Sequence, residues 1–134
     1  MTAAMKQKDL LTVLSLLAIV LVAMHIADDY VHGFDRRVVD NPYGILILVT
    51  WSSGVLLLRD HLIGRIVILV GGLLAIVVPI LHLNGRGYGD EFLKTDGALR
   101  FIWTLYMLGT IGALILIGAI REIVGARSRV AKEK

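Results

Sequence analysis

The segment His25-Ile26-Ala27-Asp28-Asp29-Tyr30-Val31-His32 gathers four groups able to bind a cation or move a proton. Residues at i, i+3, i+4 and i+7 share one face of an α-helix, so His25, Asp28, Asp29 and His32 make a single polar stripe. His82, three residues before Gly85, stands near the end of a separate apolar run. Three chemistries suit these residue types. In a metal site, Asp28 or Asp29 with His25 or His32, joined by His82 from a neighbouring helix, supplies nitrogen and oxygen ligands for a divalent transition metal. Zinc, copper and non-haem iron all take such donors. In a haem b site, His25 and His82 are axial ligands and Arg36, Arg86 or Arg100 meets the propionates, although Asp28 and Asp29 would repel them. In a proton relay, adjacent acids resist joint ionisation and histidine titrates near neutral pH.

A plainer alternative uses the same residues. Asp28, Asp29 and His32 cap the first helix and pair with Arg36, Arg37 or Arg100, while His25 and His82 hydrogen-bond backbone or Tyr106. Tyr106 and Arg36 are the expected supporting groups in the metal reading. No catalytic residue is assigned.

What must position these groups is set by hydrophobicity. The chain has 134 residues, 57% hydrophobic and 19% charged, and no cysteine. Soluble domains run nearer 45–50% apolar and 25% charged, and disorder requires the opposite bias. Without cysteine there is no disulfide, thiol nucleophile or zinc ribbon. Charge-free blocks run over 10–27, 41–58, 66–85 and 101–120. About 20 apolar residues cross a hydrocarbon core as a helix. The expectation is therefore all-α: a single 134-residue domain, an integral membrane four-helix up-down bundle. Its spans lie at about 10–33, 42–58, 64–84 and 99–121, followed by a basic tail over 122–134. Lys6 and Lys8 before the first run could open a signal peptide, but around Ala23–Ala27 no small-x-small triplet appears, since Met24 and His25 interrupt it, so the run reads as a retained span.

Charge placement sets the orientation. The N-terminus, the 59–65 turn and the tail hold nine basic residues and four acids, against five and seven on the other side. The net is +5 against −2, so both termini are expected in the cytoplasm of a multi-pass cytoplasmic (inner) membrane protein. The basic balance is then a topology signal, and no nucleic acid is needed to explain it. Eight of nine aromatics lie toward the outer side, Trp51 alone sitting mid-span. Pro79 is expected to kink the third helix near its outer end. Gly71 with Ala75, and Gly109 with Ala113, can let helices approach closely.

Other motifs carry less. Gly85-Arg86-Gly87-Tyr88-Gly89 lacks the strand context of a phosphate loop. His61 reads as a loop residue, Ser52 and Ser53 as bonding back to their own helix, and Asp90, Glu91 and Asp96 as a solvated loop able to close over the stripe. Each half of the chain carries a helix, an outer-end histidine and an acidic loop, a pattern compatible with duplication. Besides the lipid bilayer, the partners considered are a second copy of the chain and a larger membrane complex, in which the protein would be a non-catalytic accessory or assembly subunit. A small oligomeric transporter is the remaining class.

Overall fold

Lys8–Val31, Leu62–His82 and Gly97–Gly125 are helices long and apolar enough to cross a membrane. They belong to a four-helix structure, seen in a computed structural model that describes residues 3–31, 42–84 and 96–132. The helices are α1 (Ala3–Val31), α2 (Tyr43–Leu56), α3 (Leu62–Asn84) and α4 (Asp96–Lys132). The expected tail beyond residue 121 continues α4 as helix to Lys132. The second helix departs from expectation in length. Its charge-free block has 18 residues, but α2 has 14, about 21 Å at 1.5 Å per residue. Pro42 takes the N-cap position, and at the other end the amides of Leu57 and Leu58 both turn back onto the Ser53 carbonyl. A tight connection to α3 follows, with His61 N–H donating to Leu58 O at 2.9 Å.

Each long helix buries one narrow seam. In α1 the buried positions are Leu11, Ser15, Ala18, Leu21, Val22, His25 and Asp28, spaced three and four apart. The seam is apolar at its start and polar at its end. In α4 the matching seam is Ala98, Phe101, Thr104, Leu105, Leu108, Ile111, Ile115 and Ala119. Such spacing is that of left-handed bundle packing. α3 inserts mostly small groups, with Gly71, Gly72 and Ala75 buried around Ile68. Gly71 lies against the Trp51 indole of α2, and Gly72 and Ala75 against Gly112 of α4. α3 is continuous through Pro79, whose ring packs toward Gly109. The missing N–H of Pro79 leaves one carbonyl of the preceding turn without its helical partner.

Sequential helices are neighbours in space, and α1 also packs against α4. The contacts at the two ends fix the directions. Lys8 and Arg59 meet beside Glu122 at one end, while His25, His82 and Phe101 meet at the other. α1 and α3 therefore run one way, α2 and α4 the other. Outside the seams much of the described surface of all four helices is apolar, with Leu10, Val20, Leu46, Leu81, Leu99 and Ile117 exposed. An apolar exterior on this scale is compatible with a multi-pass membrane protein.

At the Lys8 end, Lys8 Nζ donates to Asp60 Oδ1 at 2.7 Å, and Arg59 Nη1 donates to Thr12 Oγ1 at 3.1 Å with Asp9 at 3.6 Å. This network ties the start of α1 to the α2–α3 turn. The hydrogen bond from Lys8, reinforced by its charge, holds the Asp60 carboxyl below its ordinary value near 3.8. A depressed carboxyl stabilises the fold fully above the unfolded-state value and loses that contribution as pH falls through the folded one. Acidifying from about pH 6 to about pH 3 is therefore expected to lower the thermal midpoint in detergent less for Asp60→Asn than for the native chain.

Candidate metal centre

Two consecutive aspartates on α1 face different neighbours. Residues adjacent in a helix point about 100° apart, and α1 lies between α4 and α3 at this depth. Asp28 accepts a hydrogen bond from Arg100 Nη2 of α4, closing an ion pair. Asp29 turns to α3 and lies 3.7 Å from His82 Nε2 through Oδ2. The same oxygen is 3.4 Å from His25 Nε2, one turn back on α1. The polar stripe of α1 is thus divided between an ion pair and a cluster.

His25, Asp29 and His82 each offer one donor atom, and the three atoms lie within 4.8 Å of one another. This group could hold a metal ion. Metal–ligand bonds of about 2.0–2.2 Å in tetrahedral geometry put ligand atoms about 3.3–3.6 Å apart, close to the two distances measured to Asp29. Side-chain exposures fall from 30% for His82 to 15% for Asp29 and 5% for His25. The centre is reached from the His82 side.

Local bonds decide which ring nitrogens are available. His82 Nδ1 lies 2.8 Å from the Val78 carbonyl one turn earlier. A carbonyl only accepts, so Nδ1 carries the proton there; Nε2 donates to Asp29 when the ring is charged and presents a lone pair when it is neutral. That lone pair faces the Asp29 carboxylate, which also only accepts. Two facing acceptors are held together favourably only by a cation or a proton between them. Two further atoms of the cluster, His25 Nδ1 and Asp29 Oδ1, are buried without a hydrogen-bond partner among the described residues. An unsatisfied buried polar atom costs about 1–3 kcal/mol.

Phe101 of α4 walls the histidines. Its ring centroid is 5.1 Å from His25 and 6.0 Å from His82, and the two imidazoles meet edge to face at 4.5 Å. Bis-histidine haem ligation does not fit this geometry. With metal–nitrogen bonds of about 2 Å, axial rings on opposite faces of a porphyrin have centroids about 6 Å apart, with the macrocycle between them. Here the rings touch.

The plainer expectations are also visible: Asp28 pairs with Arg100, and His82 bonds its own helix. Tyr106 is 56% exposed. It stands five residues from Phe101, about 140° around α4, which turns it away from the cluster. Phe101 occupies the place expected for Tyr106. Phe101 opens the fourth apolar block directly after Arg100, and as one of many outer-side aromatics it carried no distinguishing mark in the sequence. His32 and Arg36, with Arg37, Arg86, Asp90 and Glu91, lie outside the described residues. Neither a family model, nor a curated protein, nor a solved structure matches this chain.

Proposed function

We propose that this protein is a multi-pass protein of the cytoplasmic membrane that binds a divalent transition metal through His25, Asp29 and His82. The convergence of two imidazole nitrogens and one carboxylate oxygen from α1 and α3 carries the proposal. Ionisable groups within membrane helices are costly and face the bundle interior where they function, as His25 and Asp29 do. Two histidines and one carboxylate form a mixed set suited to zinc or iron with a position left open, as in sites that exchange ligands. The Asp29 charge offsets part of the charge of a divalent ion, and the Asp28–Arg100 pair keeps the second aspartate from adding to it.

In the membrane the termini are cytoplasmic and the metal centre lies in the outer half. The charge asymmetry favours this orientation. α2 makes the fourth crossing, its short length accommodated by the flanking Leu57 and Leu58 and by local thinning of the bilayer. The chain has no cysteine, so single introduced cysteines report topology directly. An impermeant maleimide added to intact cells is expected to label Tyr43→Cys and to leave His61→Cys unlabelled; the reverse pattern inverts the orientation.

Metal binding is tested by titrating the chelator-treated protein with Co2+ in detergent. The expected result is one equivalent of Co2+ giving the visible bands of a low-symmetry four- or five-coordinate site, lost on adding Zn2+. A featureless titration overturns the metal proposal and leaves Asp29 and the two Nε2 atoms sharing a proton.

A further inference from the structure

A second carboxylate stands within reach of the metal centre and is held away from it. Asp28 and His25 are three residues apart in the same buried seam of α1, a spacing that puts their Cβ atoms about 5–6 Å apart. A carboxylate and a histidine so spaced on one helix of a bundle can ligate one ion, and the charge of Asp28 is felt at the His25 ring. Asp28 nevertheless stays outside the group of three converging donors. Its Oδ1 accepts a hydrogen bond from Arg100 Nη2 of α4. Arg100 thus turns Asp28 toward α4, while the next residue, Phe101, packs on His25.

The two members of the ion pair are unequally committed to it. The Asp28 side chain is 9% exposed and that of Arg100 59%. A guanidinium that exposed regains hydration when it leaves, whereas the carboxylate left behind is a buried charge without its cation. A divalent ion one turn away on α1 supplies the missing charge. With Arg100 on Asp28, an ion at His25, Asp29 and His82 is half neutralised, by Asp29 alone. With Asp28 added, the centre is neutral and has a fourth protein donor. Burying a net charge is costly, so the ion binds more tightly to four donors than to three. Resting on the metal reading of His25, Asp29 and His82, we infer that Arg100 is a positioning residue that sets the affinity of this centre. By engaging Asp28 it keeps the ion on three protein donors, the open arrangement of sites that exchange ligands rather than the closed one of a structural metal.

Titrating the full chain with Co2+ in detergent tests the role of Arg100. Arg100→Gln is expected to raise Co2+ affinity about tenfold or more and to shift the visible bands toward the more intense ones of a closed tetrahedral site. Adding Asp28→Asn to Arg100→Gln is expected to return both affinity and bands to those of the native chain. Arg100→Lys keeps the cation and is expected to stay near native in both. Unchanged affinity and bands in Arg100→Gln overturn the inference and leave the metal reading standing. A rise in affinity that survives the added Asp28→Asn also overturns it, because the lost positive charge then acts without Asp28. Bands in Arg100→Gln with none in the native chain sustain the role of Arg100 and remove the native metal; bands in neither overturn both. If Arg100→Gln unfolds without metal, it is expected to regain native helical content and thermal midpoint on adding Zn2+, and failure to do so overturns the inference as well.

Discussion

His25→Ala is expected to weaken Co2+ binding by more than about 100-fold, because even groups that merely support a metal ligand are worth 10- to 100-fold. His25 contributes one of the three donors that converge among the described residues and is the most buried of them. His82→Ala should cost as much. Asp28→Asn is the informative control. It changes a neighbouring residue on the same helix, but Asp28 faces Arg100, so the affinity should stay within about tenfold. The effect is separable from damage to the fold. A ligand present at 100 times its dissociation constant stabilises a protein by about 2.7 kcal/mol, which the native chain should show as a chelator-sensitive rise in thermal midpoint. In His25→Ala the midpoint with and without Zn2+ should coincide, whatever its absolute value. Equal losses in His25→Ala and Asp28→Asn would place the ion elsewhere.

How far this site can be read from the sequence depends on which distances a single helix fixes. The i, i+3, i+4 spacing puts His25, Asp28 and Asp29 on one side of α1, and matching depth from the helix ends brings His82 level with them. Both follow from rise and turn alone. The partner of each aspartate does not. Asp28 and Asp29 diverge by about 100°, and assigning one to Arg100 and the other to His82 requires knowing that α4 and α3 flank α1 on those two sides. Phe101 was hidden for the same reason, since its role depends on a neighbour 76 positions earlier in the chain. The apolar blocks announced all four helices, yet α2 is four residues shorter than its charge-free block. Absence of charge does not set where a helix ends, since α1 and α4 run past their blocks at both ends while α2 stops short of its own. The actual ends come from Pro42 and from the turn at Leu57 and Leu58, whose geometry answers to the docking of α3. Small residues were similarly half legible. Gly71 and Ala75 stand out as a four-residue pair, but they face different helices, Gly71 meeting Trp51 and Ala75 meeting Gly112.

Gly112→Leu is expected to separate α3 from α4, with a loss of about 3 kcal/mol or more, the upper range for overpacking a close contact. A Cβ at Gly112 would lie 2.8 Å from Ala75 Cβ, 2.8 Å from Gly72 O and 3.1 Å from the Ala75 carbonyl carbon. Two of these three atoms are backbone and cannot turn aside. In lipid, helices gain nothing from hiding apolar surface, so close packing of this kind supplies much of the association. Even Gly112→Ala should cost about 1–2 kcal/mol, although alanine raises helix propensity by nearly 1 kcal/mol. Gly125→Ala isolates that propensity term: a Cβ there meets nothing within 4 Å, so the substitution should stabilise α4 by up to about 1 kcal/mol. Unfolding followed by circular dichroism in mixed detergent should therefore give opposite signs for the same change at two positions of one helix. The consequence reaches the metal centre, because α3 carries His82 while Phe101 on α4 walls it. Gly112→Leu should lose Co2+ binding together with tertiary packing, at a temperature where helical content is still native. If it binds Co2+ normally and unfolds at the native midpoint, the α3–α4 contact is not what holds the histidines together.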